Sequence, residues 1–251
     1  MGMIWESTGI PVLVIGKGWL ALDKPAGITV HNASGEDLCS LAGEWVRKDH
    51  EICRRMGLEI DFDFNPIHRL DKETSGIILL AADRETFRFF SDQFESRRTA
   101  KRYVAILHGR LDVPKQDNPW GSWTWPLAKT AGGRQNPQGP GQRVPSETRF
   151  RIREHSTHYT LVEIDLLTGR KHQIRRHAKL SGHPVVGDTR YGSTRAANYL
   201  KQHGGFSRLG LHAQAITLHL PGEENPQTIE TSGLPAEMRN LFETDREASF
   251  I

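Results

Sequence analysis

Cysteine is nearly missing from this chain: its 251 residues include two, Cys39 and Cys53. That argues against a disulfide framework and leaves a reducing compartment as the default. No Cys-x-x-Cys pair and no His-Glu-x-x-His run occurs, so twelve histidines, among them His172, His177, His183 and His212, lack zinc-ligand spacing. Gly-Lys-[Ser/Thr] is also missing, and Gly16-Lys17-Gly18 lacks a third glycine, which disfavours a phosphate-cradling cofactor loop. No apolar run approaches the roughly 20 residues of a membrane span. The start, MGMIWESTGIPVLVIGKG, has neither a basic flank nor a small-residue cleavage site, so a secretory signal is not expected and a cytoplasmic setting is. No internal repeat is evident.

What is present fits a soluble globular protein with one large domain or two small ones: 37% hydrophobic and 25% charged residues. A net charge of +3 is mild, but its placement is not even. Between Thr168 and Lys179 lie Arg170, Lys171, Arg175, Arg176 and Lys179, two histidines and no acid. Arg97, Arg98, Lys101 and Arg102 form a second acid-free stretch. Single-sign stretches point to a polyanionic partner, RNA or DNA.

Periodicity predicts strands at Val12–Ile15 and Trp19–Leu22, broken at Gly16–Gly18. Leu38, Leu41, Ala42, Trp45 and Val46 carry the spacing of an amphipathic helix. A strand over Gly76–Ala82 leads to a helix capped by Asp83, running from Arg84 to about Arg97 with Phe87, Phe90 and Phe94 as its buried stripe. Tyr103–Leu107, Thr148–Ile152, Tyr159–Leu166 and Leu211–Leu218 read as strands, Ile174–Leu180 as a short helix, and a last helix starts after Pro235. Interspersed rather than alternating helices make the fold α+β with a largely antiparallel sheet. Thr130–Val144, rich in Gly, Pro, Gln and Asn, reads as a flexible surface loop or as the joint between two halves of the sheet.

The stretch HRLDKETSG, His68 to Gly76, concentrates imidazole, guanidinium and carboxylate just ahead of an apolar strand. Ser75 is not on a G-x-S-x-G elbow, and Asp71 and Glu73 are too close to flank a glycosidic bond as two acids. What remains is one carboxylate among cations. Neighbouring positive charge keeps such a group ionised, which suits nucleophilic attack or stabilisation of an oxocarbenium ion rather than proton donation.

At this point the chain resembles the RluA-type pseudouridine synthases. HRLDKETSG matches the H-R-L-D-x-x-T-S-G signature; LALDKPAGITVH, KRYVAILHG, LLTGRKHQIRRHAKLSGHPVVGDTRYG and LGLHAQAITL match further blocks in family order, from about residue 12 to 240. The resemblance implies a mixed α/β pseudouridine synthase fold, a single catalytic domain over 1–251 whose central sheet is split around an RNA-binding cleft, and isomerisation of uridine to pseudouridine in rRNA or tRNA. It implies no cofactor, no metal and a monomer. Asp71 takes the place of the aspartate that acts at the sugar, as nucleophile or as electrostatic and acid/base participant. Arg175 takes that of the arginine paired with it. Tyr103 corresponds to the tyrosine that stacks on uracil and is a candidate base. Ile174 would pack on the other face of the ring, and Arg69 would enter the space left by the flipped nucleotide. RNA-binding roles extend to His68, Arg170, Lys171 and Arg176, with Arg170 and Lys171 on phosphate. Asp188 is left outside the catalytic set as structural.

Two departures from the pattern bear on the substrate. Family members commonly have a small hydroxyl residue at Lys171 and an aliphatic one at Arg176, so the added charge would either strengthen phosphate contacts or mark a different RNA as the substrate. About a dozen residues precede the first block, so no N-terminal accessory RNA-binding domain is expected, and substrate choice falls to the catalytic domain and its loops, Thr130–Val144 among them. A non-catalytic RNA-binding or chaperone protein retaining the fold is the alternative; it would be favoured by loss of the aspartate, arginine or tyrosine, and all three are present. A uracil-releasing nucleosidase is a third reading.

Overall fold

The glycine break at 16–18 is a hairpin. In the computed structural model, which describes residues 3–5, 8–33, 35–58, 62–112 and 118–247, β1 (Met3–Trp5), β2 (Ile10–Gly16) and β3 (Trp19–Lys24) pair antiparallel in succession. Asp37 starts α1 (Leu38–Lys48) by accepting the Ser40 N–H at 2.9 Å. The helical spacing buries Leu38, Ala42 and Val46 and stacks Trp45 on Trp5 with ring centroids 5.3 Å apart. Asp49 then ends α1 and caps α2 (His50–Met56), taking the N–H groups of Glu51 and Ile52. One carboxylate thus starts a second helix that the apolar spacing alone did not reveal.

After β4 (Asn65–Pro66) comes β5 (Ser75–Ala81), buried along its whole length beside β3. Asp83 caps α3 (Arg84–Glu95) as expected, through the Thr86 N–H at 2.8 Å. The phenylalanine stripe needs correction: Phe90 is fully buried and Phe94 packs on the core, but Phe87 is 38% exposed. Thr86, Phe90 and Gln93 form the buried arc instead. Gln93 is tolerated there because its amide donates to the His219 carbonyl (3.1 Å) and accepts the His219 N–H (2.8 Å), leaving neither end unsatisfied.

The chain next forms β6 (Ala100–His108), β7 (Trp120–Trp123), β8 (Leu127–Ala128), β9 (Arg143–Val144), β10 (Thr148–His155) and β11 (Tyr159–Leu166). Four of these make an antiparallel sheet in the order β6-β11-β10-β7, while β8 and β9 pair separately. The register places Tyr103 opposite Ile164, and Ile164 opposite Phe150. Side chains alternate along strands, so Tyr103, Phe150 and Thr148 share one face and Arg102, Arg149, Arg151 and Glu163 the other. On that second face Glu163, 1% exposed, receives Arg151 at 2.7 Å, Arg102 at 3.7 Å and Arg153.

Two further helices, α4 (Gln173–Leu180) and α5 (Thr194–His203), precede β12 (Leu211–Leu218) and β13 (Gln227–Glu230), and α6 (Ala236–Glu247) follows Pro235. Asp245 of α6 is fastened by the Ser156 hydroxyl (2.6 Å) and the His158 N–H (2.8 Å). The structure forms two units: 1–100 with 213–233, and 101–212 with 234–251. In the first, β12 lies beside β5 and the core gathers Trp19, Ile77, Leu79, Phe90 and Ile216. In the second, Ile106, Val186, Phe206, Met238 and Phe242 form the core. Unit boundaries fall at 100/101, 212/213 and 233/234, and residues 130–144 lie inside the second unit.

Candidate active site

In the first unit, two sequence blocks prove to be one construction. Lys24, in the LDKPAG stretch, is fully buried, and its ammonium donates to the carbonyls of Pro25 (2.8 Å), Ile28 (2.9 Å) and Lys72 (3.2 Å). Gly27 N–H reaches the same Lys72 carbonyl at 2.8 Å. Because Lys72 follows Asp71, the buried lysine pins the turn that carries the carboxylate. Asp71 closes this turn by accepting Thr74 N–H on its carbonyl (3.0 Å), and its side chain is half-buried. Arg69 is exposed. His68 is tied to β5: its Nε2 accepts the Leu79 N–H at 3.3 Å and its ring stacks on Phe94 at 5.0 Å. Gly76 ends the turn at φ +114, and a Cβ there would sit 2.2 Å from the Ala213 carbonyl, so only glycine fits. A polar turn can therefore enter a buried strand because its backbone groups have partners within the fold.

In the second unit, Tyr103 is 8% exposed on β6, on the same sheet face as Thr148. Helix α4 lies over that face, since Gln173 Nε2 donates to Thr148 Oγ1 and His177 Nδ1 accepts from it, each at 2.9 Å. Gln173 also accepts the Thr168 hydroxyl (2.8 Å) and the Arg170 N–H (3.0 Å), locking the approach to the helix. His172 precedes it in a left-handed conformation, φ 55, with Nδ1 3.0 Å from the Tyr191 hydroxyl. Ile174 is buried, Arg170 half-buried and Lys171 exposed.

Arg175 is 3% exposed and pairs through Nε (2.8 Å) and Nη2 (3.0 Å) with Asp188, while its guanidinium lies over the Tyr191 ring at 5.5 Å. Asp188 Oδ1 also takes the N–H groups of Arg190 (2.9 Å) and Tyr191 (3.0 Å). Asp188 thus helps to orient the candidate catalytic arginine from outside the catalytic set. The available signal is an acid thirteen residues after Arg175, the first one beyond the acid-free basic stretch, because a buried arginine demands a counter-charge.

Arg176 corrects the sequence reading outright. It is fully buried and donates to the carbonyls of Ala128 (3.1 Å), Lys171 (3.1 Å), Pro137 and Gln138. A guanidinium with no exposed surface does not meet phosphate. His177 is fully buried as well; burial pushes its pKa down to about 4, with the Arg176 charge adding to this and its bond to the Trp125 carbonyl opposing it. The basic stretch is therefore not a solvent-facing stripe: Arg175 and Arg176 point inward, and Arg170, Lys171 and Lys179 carry its outward charge.

Among the described residues, one group places three possible metal ligands within 4.8 Å, His31, Asp37 and Cys39. Both Asp37 oxygens already accept backbone N–H groups, and burial together with the Asp37 charge pushes the Cys39 thiol up to about 12. The donor set does not suit a metal ion.

Residues 18–180 match the sequence profile of RNA pseudouridylate synthase. The chain is 37% identical over 217 residues to ribosomal large subunit pseudouridine synthase C of Vibrio vulnificus, covering 84% of this chain and 61% of that protein. With the Vibrio cholerae protein of the same name the identity is 36% over 233 residues, covering 91% and 67%. The chain thus spans only about three fifths to two thirds of the length of these relatives. The solved structure of human RNA pseudouridylate synthase domain containing 4 superposes with a TM-score of 0.67 at 24% identity, covering 94% of this chain and 92% of that one, and so shares its fold. With its mixed α/β architecture and a profile match over well over half its length, the chain belongs to the RNA pseudouridylate synthase family.

Proposed function

We propose that this protein isomerises a uridine of ribosomal RNA to pseudouridine. The observation that carries the reading is the family match over 18–180, a span that contains Asp71, Tyr103 and Arg175; the curated relatives named for the large ribosomal subunit support rRNA over tRNA. In the reaction the N1–C1′ bond breaks, the detached uracil turns, and C5 joins C1′. The C5 hydrogen leaves as a proton and N1 gains one, so atoms and charge balance without an oxidant or a group donor.

Asp71 acts at the sugar, either as nucleophile or as the charge that stabilises the electron-poor C1′. A half-buried carboxylate on a pinned turn suits both roles, since neither tolerates a wandering side chain. Arg175, fixed by Asp188, supplies a rigid positive charge, and Tyr103 is the ring that stacks on uracil and the candidate base for C5. Arg69, exposed on the Asp71 turn, fills the stack left by the flipped nucleotide; Ile174 packs against the base, and Arg170 and Lys171 hold phosphate. His68 assists by holding that turn to β5. The same reading has one catalytic domain working as a monomer in the cytoplasm; among the described residues no helix is long and apolar enough to cross a membrane.

Pseudouridine mapping of total rRNA and tRNA, with and without the gene, tests this directly. One or a few rRNA positions should lose the modification. An unchanged rRNA map would defeat the proposal, and loss confined to tRNA would transfer the activity to that substrate.

A further inference from the structure

The segment between β8 and β9 has the composition of a mobile loop, yet its irregular backbone is tied down from several directions. The Arg176 guanidinium gathers the carbonyls of Ala128, Pro137 and Gln138. From the turn after Asp188, Arg190 takes those of Ala131 (3.3 Å) and Gly132 (3.0 Å). Ala128 N–H donates to the Gln138 carbonyl at 2.8 Å, and Gln138 Nε2 to that of Pro126 at 3.0 Å. The chain folds so tightly on itself that a Cβ at Gly139, φ +80, would lie 2.2 Å from the Thr130 carbonyl.

If this position on α4 were needed only for packing, an aliphatic side chain would fill it without burying a charge. What the guanidinium adds is a set of fixed donors for an irregular backbone. What that backbone displays is positive: Lys129, Arg134 and Arg143 are exposed, and no acid occurs between Pro126 and Ser146. A cationic surface already ordered before binding loses less entropy on meeting a polyanion than a flexible one.

We propose that residues 129–143 are a pre-ordered arm that grips the RNA backbone, and that Arg176 is the positioning residue that holds this arm. The inference deepens the pseudouridine synthase reading and rests on it for the identity of the RNA. It separates the roles of two adjacent arginines: Arg175 serves the chemical step and Arg176 serves RNA affinity.

The test uses the full chain and an rRNA fragment containing the mapped uridine, with binding and single-turnover rates measured over a range of salt. The double variant Lys129→Gln/Arg134→Gln should bind RNA about 10-fold more weakly, with a shallower salt dependence, and keep its rate at saturating RNA within 2-fold, because phosphate contacts contribute sequence-independent, salt-dependent affinity. Unchanged affinity and salt dependence in that variant would overturn the arm. Arg176→Met should speed amide hydrogen exchange across 129–142 and lower kcat/KM mainly through KM; unchanged exchange there would overturn its positioning role. Should Arg176→Met fail to fold, Arg190→Ala, which removes exposed contacts to the same loop, must show both effects. Pseudouridine formation by the wild type is a separate readout, so failure of the enzymatic reading and failure of the arm are distinguishable.

Discussion

Replacing Asp188 by Asn would isolate what orients Arg175. The change is nearly isosteric and leaves Oδ1 to accept the Arg190 and Tyr191 N–H groups, so the turn keeps its backbone bonds. What it removes is the carboxylate charge on the buried guanidinium, and it sets an amide N–H against the Arg175 Nε–H that now donates to Oδ2. Both side chains are at most 3% exposed, so water cannot replace the lost partner. Uncoupling a buried ion pair costs about 3–5 kcal/mol, against a total stability of about 5–15 kcal/mol for a typical domain. Urea unfolding should therefore show a clear drop in midpoint for Asp188→Asn, with much of it recovered in the double variant that also carries Arg175→Met. Under conditions where the variant is still folded, its single-turnover rate at saturating RNA should fall by about 100-fold, the scale associated with a displaced catalytic group. A cost below about 1 kcal/mol, or no coupling to Arg175→Met, would refute the reasoning.

Acid should weaken the fold through His177 and His212, both fully buried or nearly so and both pushed down to about 4, chiefly by burial. Between about 6.5, the unfolded value, and about 4 the unfolded chain holds more protons, so stability is complete above about 6.5 and lost as pH falls, by about 2 kcal/mol per histidine at pH 5; a Tm unchanged between pH 7.5 and pH 5 would contradict this. Lys24→Met should cost about 3 kcal/mol or more, because three carbonyls lose a buried donor, and urea unfolding with a midpoint equal to wild type would show that the lysine does not hold the turn. On α3, Phe90→Ala should cost about 3–5 kcal/mol and Phe87→Ser under about 0.5 kcal/mol; equal losses in thermal melts would restore the phenylalanine stripe that the structure shifts.

Where the sequence was legible, one physical rule decided the element. The helix spaced by Leu38, Leu41, Ala42, Trp45 and Val46, the helix capped by Asp83, the hairpin at 16–18 and the strand entered through Gly76 follow from side chains that act within a few residues of themselves. Asp49 was opaque because a carboxylate that ends one helix and begins another leaves the apolar period intact on both sides. The buried arc of α3 was misjudged because Gln93 is polar by type and satisfied by a partner 126 residues away. Arg176 is the same lesson in stronger form: its charge marks it for the surface, and the carbonyls that make burial possible come from residues 128, 137 and 138, which no local pattern ties to it. Asp188 became meaningful only beside Arg175. Catalytic candidates were legible from the blocks that carry them; their supports, Lys24 and Asp188, required the fold.

The most direct test of the central claim is release of tritium from rRNA labelled at C5 of uridine, since forming the C5–C1′ bond expels the C5 hydrogen. Wild type should release label in proportion to modified sites, and Asp71→Asn should release none above background while binding the same RNA within about 2-fold. Substantial release by Asp71→Asn, at a rate within about 10-fold of wild type, would contradict the assignment of the reaction to this carboxylate.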